Sequence, residues 1–307
     1  MAYTEVPDSV RIVLLILTAI SFIPQLRRLY SKKNSLGLSP SYVLCNLIVA
    51  TEQFAIIFYM MISVPEAFGN SFVHDPHTVG DWVNFAQIIV TWILFLAVYE
   101  LGPGVPPSPY PDSFILTITY RPAHRAKCGY VAIYIIYLLI SLVPLELDQM
   151  GLTPHLATPS WPENDLREAW AFTHGLFLNT LMPPLALIAL IPQAVQIWKH
   201  IGDPVGYPGL SVWDLVIQSG VFGSVAVSWI WRVSFTGYSS KFDPGWFWDY
   251  GWPVVENGVV AGVQAVLALL AGWRGCVGAR KRGREQQDGG FEEPTPEDRE
   301  RQPLLPK

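Results

Sequence analysis

The sequence predicts an all-α membrane fold: seven transmembrane helices set out as two parallel three-helix repeats joined by a linking helix (3+1+3). Three observations carry that expectation. Of 307 residues, 51% are apolar and only 15% charged, with a mean hydropathy of +0.31, whereas soluble chains are about 25% charged. The apolar residues gather in seven blocks of about 20 residues, the length that crosses a bilayer. One motif also recurs at the ends of the first and fifth blocks.

The first block, Ser9 to Leu29, contains Pro24-Gln25 and is followed by its positive charges. It lacks a small-residue cleavage site, so it reads as a retained span and not as a leader. The second, Ser41 to Ile62, carries Asn46 and Glu52 within its apolar run, and the third runs from Trp82 to Leu101. A Pro-rich stretch then leads to the fourth, Gly129 to Leu147, and an acidic stretch separates that from the fifth, Ala169 to Trp198. The sixth, Val212 to Phe235, opens near Asp214, an acid that complements a helix N-terminus. The seventh, Gly251 to Trp273, has Gly258 and Gly262 as a small-residue packing face. Most of the 12 Trp sit near block ends, where membrane–water anchors belong. The expected units are residues 1–101, a first three-helix repeat; 102–168, loop, linking helix and loop; 169–274, a second repeat; and 275–307, a disordered tail.

Positive charge sets the expected orientation. Arg27, Arg28, Lys32, Lys33, Arg121, Arg125, Lys127, Lys199 and Arg274 follow odd-numbered blocks, with Arg280, Lys281, Arg282 and Arg284 in the tail. Glu66, Asp75, Asp148, Glu163, Asp243 and Asp249 follow even-numbered ones. The N-terminus is therefore expected in the lumen and the tail in the cytosol. Three cysteines are too few for a disulfide framework. A soluble enzyme, a secreted scaffold and a nucleic-acid binder are all set aside by this composition, and no metal or cofactor is expected.

The repeat is legible in the motif. Block one ends Ile23-Pro24-Gln25-Leu26, and block five ends Ile191-Pro192-Gln193-Ala194. Downstream lie Gly37-Leu38-Ser39 in one copy and Gly209-Leu210-Ser211 in the other. In the following block Asn46 and Gln218 occupy equivalent places. An odd number of helices per copy requires one linking helix if both copies are to enter with the same polarity, an architecture known in transporters.

These residues resemble the PQ-loop family, which includes cystinosin, lysosomal and vacuolar amino-acid exporters, SWEET sugar carriers and the KDEL receptor. The likeness to cystinosin is closest along Lys33-Asn34-Ser35-Leu36-Gly37-Leu38-Ser39. Two positions depart from it. Gln218 stands where cystinosin-like carriers have a proton-linked aspartate, and the Gly-Asp of cationic amino-acid exporters is absent around Asn46.

Proline removes a helical hydrogen bond and displaces a carbonyl, so Pro24-Gln25 and Pro192-Gln193 are expected to be hinges. Pro183-Pro184 makes a further break in the fifth helix. Mid-membrane polar side chains face a cavity or a partner. Aligning Trp82 with Trp252 sets Gln87 opposite Asn257, which approximates the paired asparagines of SWEET-like carriers. Asn46, Gln87, Gln218 and Asn257 are the expected substrate-binding set, since carboxamides offer donors and acceptors to a zwitterion or polyol. His174, Asn179 and Gln264 are further polar positions. Glu52 and Glu256 can exchange a proton where carboxamides cannot, and are the expected proton-coupling groups. Glu300 with Leu304-Leu305 forms an acidic-dileucine pattern that sorting adaptors read.

The resemblance implies a transporter of a small polar metabolite, an amino acid first, working by alternating access in a vacuolar or lysosome-like membrane. The rivals are a seven-helix receptor, a cargo-sorting receptor on the same fold, for which Arg232 is the nearest basic residue, and an uncoupled sugar uniporter. The expected partners are the small-molecule substrate, the lipid bilayer and adaptors at the tail.

Overall fold

The structure is a computed structural model that describes residues 6–32, 37–63, 73–74, 76–102, 116–150, 169–199, 210–232, 247 and 251–288. The helices are α1 Asp8–Lys32, α2 Pro40–Ser63, α3 Val79–Leu101, α4 Leu116–Gln149, α5 Asn179–Lys199, α6 Val212–Trp229 and α7 Trp252–Asp288. A π-helical segment, Phe172–Leu178, leads into α5. Among the described residues there is no strand, and seven helices there are long and apolar enough to cross a membrane.

Local chemistry sets the helix starts. Pro40 is the first residue of α2, where its missing N–H costs nothing. Gly37, just before it, has φ 94°, a left-handed conformation that only glycine adopts cheaply. Thr78 caps α3: its hydroxyl accepts from the Asp81 N–H, and the Asp81 carboxylate accepts from the Thr78 N–H.

Three helix boundaries differ from the sequence expectation. α4 extends back to Leu116, and α6 gives way to a turn through Arg232 instead of reaching Phe235. α7 runs on to Asp288, so residues 275–288 of the expected tail are helical. The run Ala279-Arg280-Lys281-Arg282 with Glu285-Gln286-Gln287 is rich in strong helix formers, and that propensity outweighs the polarity that suggested disorder.

The packing follows an exchange rule. α3 packs against both α1 and α2, and α7 packs against both α5 and α6. Across the two groups, α1 meets α6 and α2 meets α5. Swapping α1 with α5, α2 with α6 and α3 with α7 returns the same contacts, a pattern consistent with two three-helix units related by a pseudo-twofold axis. α4 lies against α2; α2 is the most buried of the spans and α4 the least, so the linking helix sits outside the bundle.

Phe22 joins the two units. It is fully buried and meets Phe95 of α3 edge-on at 5.1 Å and Phe222 of α6 at 6.1 Å. A second apolar cluster gathers Ile57, Trp170, Trp229 and Trp252. Outside, Ile12, Ile16, Ile20 and Ile23 form an exposed stripe on α1, the face a helix turns to lipid.

Candidate functional site

The Pro-Gln motifs lie at one end of the bundle, the end that also carries Arg28 and Arg274. α1 continues through Pro24, and α5 through Pro183, Pro184 and Pro192. Each glutamine that follows reaches across to the other repeat. Gln193 of α5 is 0% exposed; its Oε1 accepts from the Ser39 N–H at 2.8 Å and its Nε2 donates to the Gly37 carbonyl at 2.6 Å. The second motif thus grips the Gly-Leu-Ser turn of the first copy. In return Gln25 Oε1 accepts from Gln218 Nε2 at 2.9 Å. Arg28 Nη1 donates to the Leu210 carbonyl at 3.1 Å, with Asp214 3.9 Å from the guanidinium. The latch is symmetric in place and asymmetric in chemistry: an amide grips one Gly-Leu-Ser segment and a guanidinium the other. Each such bond contributes about 0.5–1.5 kcal/mol net.

The four carboxamides expected to bind substrate are all buried, and they occupy separate settings. Gln218 is paired with Gln25. Asn46 Nδ2 donates to the Tyr42 carbonyl and Asn257 Nδ2 to the Pro253 carbonyl, each 2.7 Å away in its own helix. Gln87 belongs to a cluster between α1, α3 and the end of α6. Its Nε2 donates to Thr18 Oγ1 at 3.3 Å, and its Oε1 accepts from Arg232 Nη1 at 2.6 Å. The same Arg232 nitrogen donates to Asn84 Oδ1 at 3.0 Å. Gln264 Nε2 donates to the Tyr42 hydroxyl at 2.7 Å.

The two glutamates meet different surroundings. Glu52 is 0% exposed, and His174 Nδ1 lies 3.0 Å from both its oxygens. The Tyr137 hydroxyl of α4 donates to Glu52 Oε2. Trp170 stacks on the imidazole, with centroids 4.3 Å apart, and its Nε1 donates to the Ser141 carbonyl at 3.0 Å. The π segment places His174: the Asn179 N–H bonds back five residues to the His174 carbonyl, the wide turn that recurs at functional sites. Glu256 is equally buried, beside Gln53 but outside hydrogen-bond geometry, and within electrostatic reach of Glu52. Two carboxyls, an imidazole and a phenol therefore share one dry region, a setting in which adding or removing one proton changes the electrostatics sharply.

Sequence reasoning singled out Glu52, Glu256 and His174 but missed Tyr137, Trp170, Gln53, Asn84 and Thr18. Nothing local marks these five, which acquire their roles only through packing. Lys33, Asn34, Ser35, Leu36 and Gly209 of the repeat motifs lie outside the described residues, as do Glu300, Leu304 and Leu305. Among the described residues no group of His, Cys, Asp and Glu is arranged to hold a metal ion, and Cys45 and Cys276 are free thiols.

Fold and latch together define a multi-pass helical membrane protein whose halves are tied at one end by reciprocal glutamines. Residues 10–64, which span most of α1, the Gly-Leu-Ser turn and α2, match the family model of the PQ loop repeat. That match supports the PQ-loop likeness the chain's motifs indicated, and the family suggests a transporter- or exporter-like function. No curated protein and no solved structure matches it.

Proposed function

We propose that the chain transports a small polar metabolite, an amino acid in the first instance, by alternating access between its two three-helix units. One observation carries this reading: the reciprocal latch, in which each Pro-Gln motif crosses to the opposite repeat. The latch closes one end, and at the other end Arg232 donates to Asn84 and Gln87 across the same two units, so rocking about a pseudo-twofold axis would open these two sets of contacts in alternation. The Glu52–His174–Tyr137 network with nearby Glu256 is the proton-exchanging element. The positive-charge pattern supports a cytosolic latch and a lumenal N-terminus. The acidic-dileucine pattern at Glu300 and Leu304-Leu305 supports a vacuolar or lysosome-like membrane reached through sorting adaptors.

The experiment is uptake into reconstituted vesicles, using amino acids and sugars at two pH values. Uptake of an amino acid that rises with an inward proton gradient is expected; no uptake of any solute overturns the reading. Gln218, neutral where related carriers hold an aspartate, favours a second reading, an uncoupled sugar uniporter, which the same panel reveals as pH-independent sugar flux.

A further inference from the structure

Arg232 is a buried cation whose donors are only half used. It is 4% exposed, and its guanidinium lies 4.9 Å from the Trp229 ring centroid. Nη1 is committed to the neutral carboxamide oxygens of Asn84 and Gln87. Nε and Nη2 are buried without any hydrogen-bond partner, and among the described residues no carboxylate forms an ion pair with it. The surroundings add positive charge: Arg11 is also buried and close enough for its charge to act on Arg232. The Arg11 carboxylate neighbour, Asp8, lies 3.8 Å from it and is half exposed.

Buried charges are found paired, because an isolated one costs more than neutral hydrogen bonds return. The geometry of the unused donors specifies the missing partner. Nε–H and one Nη2–H form a single edge of the guanidinium and point the same way, the edge that takes both oxygens of a carboxylate in parallel. The two parallel donors of this edge match the two oxygens of one carboxylate, whereas a phosphate offers more acceptors than this edge satisfies. With Nη1 held by Asn84 and Gln87, the plane of the fork is set before any ligand arrives.

We infer that Arg232, oriented by Asn84 and Gln87, is the anchor for the carboxylate of a small ligand bound between α1, α3 and the end of α6. This rests on the transport reading and deepens it: the substrate carries a carboxylate, which an amino acid does and a sugar does not. Gln87, expected from sequence to touch substrate, becomes the residue that positions the anchor.

The test is thermal unfolding of the full chain in detergent with the common amino acids, their primary amides, acetate, glucose and inorganic phosphate. At least one amino acid is expected to raise Tm saturably, with its amide weaker by roughly ten- to 150-fold, the loss of a charge-assisted hydrogen bond. Arg232→Lys keeps the charge but loses the parallel edge, and should weaken binding over the same range. Arg232→Met removes an unpaired buried charge; its ligand-free Tm should hold or rise while the ligand response disappears. Three results overturn the inference: stabilisation by phosphate and by no carboxylate, equal binding of acid and amide, or full carboxylate response in Arg232→Met. Uptake by the same preparation separates the two readings. A bound carboxylate that never crosses the membrane leaves the anchor standing and removes the transporter. Sugar flux without carboxylate binding removes the anchor and keeps the transporter.

Discussion

Replacing Gln193 by Leu is the most informative single change at the latch. Leucine keeps the buried volume of this fully enclosed position but deletes both bonds, the 2.8 Å contact from the Ser39 N–H and the 2.6 Å contact to the Gly37 carbonyl. Each bond contributes about 0.5–1.5 kcal/mol, and a buried backbone group left without a partner costs about 1–3 kcal/mol. The closed state should lose about 2–4 kcal/mol relative to one in which the turn is released to water, so the latch opens roughly 30- to 700-fold more often. The assay is thiol labelling of Leu38→Cys, a position buried in the latch, with Cys45, Cys128 and Cys276 replaced. A membrane-impermeant maleimide applied from the latch side should react at least tenfold faster in the Gln193→Leu background. Gln25→Leu, which loses the single bond from Gln218, should have a smaller effect. Equal labelling rates with and without Gln193 would refute the reasoning, since the turn would then be held closed by something else.

Other expectations bear on the buried network and the topology. His174→Leu leaves Glu52 buried with only the Tyr137 hydroxyl and should lower stability by about 1–3 kcal/mol, read as a fall in Tm by intrinsic fluorescence. Glu256→Gln loses no hydrogen bond, so Tm should move by less than about 0.5 kcal/mol equivalent, while the pH dependence of uptake disappears and exchange persists; unchanged pH dependence removes Glu256 from the mechanism. Cysteines at Asp75 and Gln286 should label from opposite faces of the membrane, and labelling of both from one face sinks the orientation. Leu304→Ala with Leu305→Ala should redirect the protein to another membrane on imaging, and unchanged localisation refutes the sorting signal.

The membrane helices were legible because hydropathy is a local property, and the Pro-Gln motif of the first copy because it is short and leads to a left-handed Gly37. The π segment was not, since Phe172–Leu178 reads as ordinary helix until the backbone is seen to skip a residue. The Pro-Gln motifs announced themselves, yet their partners lie more than a hundred residues away along the chain. The motif read as a hinge, and its glutamines bond across to the Gly37–Ser39 turn and to Gln218. Asn46 and Asn257 show the reverse difficulty: an intramembrane carboxamide suggests a ligand, and both bond back to a carbonyl of their own helix. Arg232 was visible as a basic residue near the sixth helix, but its unused Nε and Nη2 are facts of packing alone.

Alternating access between two latched repeats is tested most directly by tying them together at the latch. Gln25 and Gln218 touch side chain to side chain at 2.9 Å across the α1–α6 contact. Both are replaced by cysteine in a chain otherwise lacking cysteines, reconstituted, and bridged with a short bifunctional thiol reagent whose link is reducible. Cross-linking should go nearly to completion, stop uptake, and release it again on reduction, with each single-cysteine control unaffected by the reagent. Full uptake with the bridge intact would contradict the account, because the two units would then move substrate without parting at this end.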